Sequence, residues 1–150
     1  MSLYSIALFV HVVGAVLLFV LLTVEGIGIR SGTSGAQLSR VLGPITAALI
    51  LVAGFYMAAQ TGWHAWTAVG LASYLLIAAL GTYTGIRTGR GRLSRGVAML
   101  SWLTRVGIAL GVLFDMTVKP DLVGSVAAVI VAVAVALAAA APTLRLVRVG

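Results

Sequence analysis

The feature that most constrains this chain is its first apolar stretch, Leu3 to Val24, which holds one imidazole, His11, and no Asp, Glu, Lys or Arg. About 20 such residues cross the hydrocarbon core of a bilayer as a helix. An open strand of that length would leave its N–H and C=O groups without partners in lipid, so helix is the local structure left to it. Met1 to Tyr4 has no basic residue, and the stretch outlasts the about 7–15 residues of a signal-peptide core. It is therefore expected to stay as a transmembrane helix.

The remaining residues repeat the pattern. Of the 150 residues, 61% are hydrophobic and 9% are charged, whereas soluble domains are about 25% charged. The net charge of +7 would suggest nucleic acid in a soluble protein. Here the basic residues lie in short links between apolar runs, so the partner is the lipid bilayer and not nucleic acid. With no cysteine there is no disulfide and no thiolate metal site. Lys119 is the one lysine among ten basic residues. The bias to Arg, Ala, Gly and Val suggests a GC-rich coding sequence and a bacterial cytoplasmic (inner) membrane.

Five spans account for the chain, at about 3–29, 41–60, 67–86, 97–118 and 122–144. The expected fold is all-α, a polytopic transmembrane helix bundle forming one domain over 1–150. Pro44 is expected in the first turn of the second span, where its missing N–H costs little. Trp63 and Trp66 edge a link at headgroup level. Val and Ala alternate from Val131 to Leu137 with the period of a strand, but the length of the uncharged run decides for helix. Pairs of glycines four apart, Gly81/Gly85 and Gly107/Gly111, allow close approach of a neighbouring helix or of an oligomeric or membrane-complex partner.

Arg30, Arg40, Arg87, Arg90, Arg92, Arg95, Arg145 and Arg148 fall on one side of such a topology. Lys119, beside Asp115 and Asp121, falls on the other. The positive-inside rule then puts the N-terminus outside and the C-terminus in the cytoplasm. The cluster Arg87, Arg90, Arg92 and Arg95 reads first as a topology signal and second as a contact for anionic lipid headgroups.

Few residues can carry chemistry. His11 lies about 12 Å inside the outer edge of its span. An ionisable group at that depth is costly and faces the protein interior. It is either a structural histidine bonded to a neighbouring helix or a ligand for haem b or copper. Gly14, one turn on, leaves a gap beside the ring for a flat cofactor or for a second helix. His64 in the outer link is either an interfacial anchor or a second ligand, with the Met57 and Met116 thioethers on the same side as further copper(I) ligands. Arg105 is the most expensive side chain to bury, because a guanidinium stays charged. Arg105 lies about 15 Å from the inner face and Glu25 at most about 8 Å; the difference is within reach of an extended Arg side chain, so Glu25 is its expected ion-pair partner, and the alternative is an Arg105 that snorkels alone. Asp115 and Lys119, four apart, are expected to pair at the outer interface. No phosphate loop, Ser/His/Asp set or HExxH motif occurs, so no catalytic residue is assigned.

At His11-Val-Val-Gly14 and Met116-Thr-Val-Lys119-Pro120 the chain resembles a group of small bacterial integral membrane proteins. These are loosely similar to the membrane domain of copper-resistance protein D and to HemJ-like protoporphyrinogen oxidase. The resemblance implies haem or copper handling by the first-span histidine, carried here by His11 alone. The oxidase-like relatives use a basic residue in a later helix and four spans. This third span has no lysine, and there are five spans. The competing expectation is a non-enzymatic accessory subunit or small permease with no cofactor.

Overall fold

The computed structural model of the chain describes residues 2–32 and 36–141. Within them every regular element is an α-helix: α1 (Leu3–Ser31), α2 (Ala36–Thr61), α3 (Ala65–Gly89), α4 (Arg95–Val118) and α5 (Leu122–Ala139). All five are long and apolar enough to cross a membrane, so the chain is an integral membrane protein of five spans. Large apolar side chains stand outward along every helix, Val123, Val52 and Phe9 among the most exposed. Lipid is a solvent for such faces, so they do not have to be turned inward.

Helix ends follow ordinary capping rules. The hydroxyl of Ser2 accepts from Ser5 N at 3.2 Å, Ser94 from Val97 N at 3.4 Å, and Asp121 Oδ1 from Gly124 N at 2.9 Å. Each satisfies one of the donors a helix start leaves open. Gly32 closes α1 at φ 72°, and Lys119 closes α4 at φ 53°. Inside the spans, several hydroxyls bond back to the carbonyl four residues earlier. Thr84 to Leu80 is 2.7 Å and Thr117 to Leu113 is 2.7 Å, which keeps a polar atom paired in lipid.

Two boundaries differ from expectation. α2 begins at Ala36, so Pro44 sits inside the helix and not in its first turn. A proline there deprives the Arg40 carbonyl of its usual donor and crowds the preceding residue. Gly43, with no Cβ, removes part of that crowding. α5 is helical to Ala139, and the expected tail of that span at 142–144, with Arg145 and Arg148, lies outside the described residues.

By packing, the helices sort into two compact units, Met1–His64 and Ala65–Gly150. In the first, α1 and α2 are antiparallel, because Gly14 meets Ile50 and Leu49 while His11 meets Gly54. In the second, α4 lies between α3 and α5 in sequence and packs against both. Gly70 abuts Met116 and Gly81 abuts Arg105, which makes α3 and α4 antiparallel. Gly107 meets Val133 and Gly111 meets Val129, which makes α4 and α5 antiparallel too.

Candidate functional site

In the first unit His11 ties α1 to α2. Its ring is half-buried, and Nδ1 lies 3.0 Å from the Ile50 carbonyl of α2. A carbonyl oxygen can only accept, so Nδ1 carries the proton and donates it. In the neutral ring Nε2 then holds the lone pair. Among the described residues nothing bonds to Nε2. Gly54 makes the arrangement possible, since a Cβ there would stand 3.3 Å from His11 Cε1 and 3.4 Å from Nδ1. Helix-to-helix clamping and ligand orientation use the same bond, because fixing one ring nitrogen fixes where the other points.

The gap expected beside Gly14 is filled by the second helix. A Cβ at Gly14 would lie 2.8 Å from Ile50 Cγ1 and 3.1 Å from Ile50 N. No cofactor fits between α1 and α2 at that level, and any ligand of His11 must approach from the Nε2 side.

The other suggested ligands divide by position. Met57 is three residues beyond Gly54 on α2, hence on the same face and within a turn of the His11 ring. Gly54 to Thr61 covers about 10 Å of helix axis, and His64 lies past that point. There His64 is exposed, its Nδ1 donating to Gly62 O at 3.0 Å. The two histidines therefore occupy different levels. Met116 belongs to the second unit, where its Cε closes on Gly70. No cluster of three His, Cys, Asp or Glu occurs among the described residues, which leaves His11 as the anchor of any metal or haem at this level.

In the second unit Arg105 is 4% exposed. Its Nε donates to Ser101 O at 3.4 Å, and Nη1 fills the space a Gly81 side chain would take, at 3.1 Å. Gly81 thus accommodates a guanidinium and not a helix backbone. Gly85 has nothing within 4 Å among the described residues, so no described helix packs closely on this pair. Glu25, the expected partner of Arg105, is half-buried on α1 in the first unit.

Asp115 departs most from expectation. It is 0% exposed, and neither carboxylate oxygen has a hydrogen-bond partner among the described residues. Lys119 does not pair with it; the ammonium stands over the Trp66 ring, 5.3 Å from its centroid. The reason is geometric. Lys119 is the left-handed cap of α4, so it no longer continues the helical face that carries Asp115. The signal was in the sequence: Asp115 follows Gly107 and Gly111 at the same four-residue step, on the stripe that faces α5. In the link after α3, Arg87 lies over the Tyr83 ring at 5.2 Å. The remaining arginines of that link are exposed.

No family model, curated protein or solved structure matches the chain. The resemblance at His11-Val-Val-Gly14 rests on those residues.

Proposed function

We propose that this protein is a cofactor-binding protein of the bacterial inner membrane, taking haem b or copper near the outer leaflet with His11 Nε2 as its ligand. One observation carries the reading. The Nδ1–H···O=C bond to Ile50 orients the ring and leaves the Nε2 lone pair without a partner among the described residues. The ring sits half-buried within a span, where an imidazole held only for packing is expensive. When bound, either group supplies one-electron redox chemistry. The chain's own part is to orient the ring through Ile50 and Gly54, to offer the Met57 thioether within a turn, and to exclude water with the surrounding apolar side chains. The charge bias of the links supports an outer location for this level.

The test is absorption spectroscopy and metal analysis on the detergent-purified protein, as isolated and after titration with haemin or Cu(I). A Soret band or stoichiometric copper that disappears in His11→Ala supports the reading. A protein that takes up neither, or a His11→Ala variant that binds as wild type does, overturns it in favour of an accessory subunit or small permease.

A further inference from the structure

The seam between α4 and α5 is unusually close. An ideal Cβ on Gly107 would lie 2.6 Å from Val133 Cα, and one on Gly111 would lie 2.6 Å from Val129 Cα. Each step of four along α4 is a step of four back along α5. The next step sets Asp115 opposite Ser125. Both are 0% exposed. The two Asp115 oxygens and Ser125 Oγ all lack hydrogen-bond partners among the described residues. Thr67, one turn before Gly70 on α3, adds another buried hydroxyl without a partner. Gly70 abuts Met116 and Gly81 abuts Arg105, so by that register Thr67 stands opposite Lys119, about one turn beyond Asp115.

Thr84, Thr104 and Thr117 return their hydroxyls to their own helix, whereas Thr46 and Ser101, like Thr67 and Ser125, have buried hydroxyls with no partner among the described residues. Among these unpartnered groups Asp115 is the one carboxylate. A buried carboxylate with no donor is one of the costliest arrangements in a protein interior, and it calls for a counter-charge or a proton. Lys119 does not supply it, because its ammonium is over Trp66. The donor set is all oxygen, with one negative charge and neutral hydroxyls. That combination suits a hard cation of single charge. A divalent ion would leave a net positive charge in hydrocarbon. The close approach of α4 and α5 favours a small ion.

We propose that Asp115 and Ser125, with Thr67 one turn beyond, form a site for one alkali cation, Na+ by size. The site is independent of His11 and does not rest on the cofactor reading.

The test uses the full-length protein in detergent at fixed pH, with NaCl exchanged for N-methylglucamine chloride at constant ionic strength. Dicyclohexylcarbodiimide adds to a carboxylic acid in an apolar site, and peptide mass mapping reports its attachment at Asp115. A bound cation excludes the proton the reaction needs. Labelling should therefore fall about tenfold at ten times the half-protecting NaCl concentration. Ser125→Ala, one oxygen fewer, should need about tenfold more NaCl for the same protection. In parallel, NaCl should raise the thermal midpoint of wild type and not that of Asp115→Asn. Labelling that ignores Na+ overturns the proposal; if it changes with pH alone, the occupant is a proton. Absence of labelling together with absence of a Na+-dependent thermal shift overturns it as well, as does unchanged protection in Ser125→Ala.

Discussion

Replacing Gly111 with alanine tests the α4–α5 seam directly. The new Cβ would stand 2.6 Å from Val129 Cα and 3.2 Å from Val129 Cγ2, whereas carbon atoms settle about 3.5–4.0 Å apart. The Cα belongs to backbone, so α5 itself must retreat by about 1 Å. Overpacking of this kind costs about 1–3 kcal/mol. Alanine recovers up to about 1 kcal/mol of helix propensity, leaving a net loss of up to about 2 kcal/mol. Gly85→Ala is the control. Nothing lies within 4 Å of it among the described residues, so only the propensity gain of up to about 1 kcal/mol remains. Gly107→Ala should resemble Gly111→Ala, and the double variant should lose less than the sum, because one retreat of α5 relieves both clashes. Unfolding in mixed micelles of rising denaturing-detergent fraction, followed by circular dichroism, gives the ranking. If Gly111→Ala is as stable as Gly85→Ala, or if the two seam substitutions add fully, the seam is not closed as described.

Other consequences can be measured separately. Nitrogen-15 NMR of histidine-labelled protein without added cofactor should show His11 protonated at Nδ1 and bare at Nε2; the opposite tautomer would contradict the Ile50 bond. Gly54→Val, which drives a branched side chain into the ring, should abolish that signature while leaving the helix content intact. Asp121→Ala removes the cap of α5 and should cost about 1 kcal/mol, with Asp121→Asn close to neutral in the same unfolding assay. Lys119→Gln should lose about 0.5–1 kcal/mol, the value of an exposed cation over an indole, and the loss should vanish in a Trp66→Leu background. If the loop arginines Arg87, Arg90, Arg92 and Arg95 hold anionic headgroups, each contributes about 1 kcal/mol near the surface. Neutralising them should reduce stabilisation by phosphatidylglycerol over phosphatidylcholine, and equal stabilisation would remove the lipid from the account.

Much of the architecture could be read before any coordinates, because lipid leaves so few options. Five long apolar runs in a chain with sparse charge allow little besides five spanning helices. The ends were less legible. Pro44 looked like a first-turn residue, but Gly43 beside it lets α2 run through. Residue spacing alone could not tell the two glycine pairs apart. Gly107/Gly111 face the α5 backbone, while Gly81 faces Arg105 and Gly85 faces nothing described within 4 Å. What a small residue admits depends on its neighbour, and a single sequence does not say which neighbour that is. At the candidate site, His11 was legible from its depth, but the Ile50 carbonyl was not, since a backbone acceptor has no sequence signature. Asp115 was misread for a related reason. The four-residue spacing to Lys119 was correct arithmetic, yet the left-handed turn at Lys119 redirects that side chain.

The connection between α4 and α5 is only Lys119, Pro120 and Asp121. A turn this tight means that the two helices can enter the bilayer together as a hairpin. Asp115 would then cross the hydrocarbon with Ser125 already alongside, never presenting its carboxylate to lipid by itself. Lengthening that connection should burden biogenesis before it burdens the finished protein. The delay would be seen as poor insertion of an otherwise stable molecule.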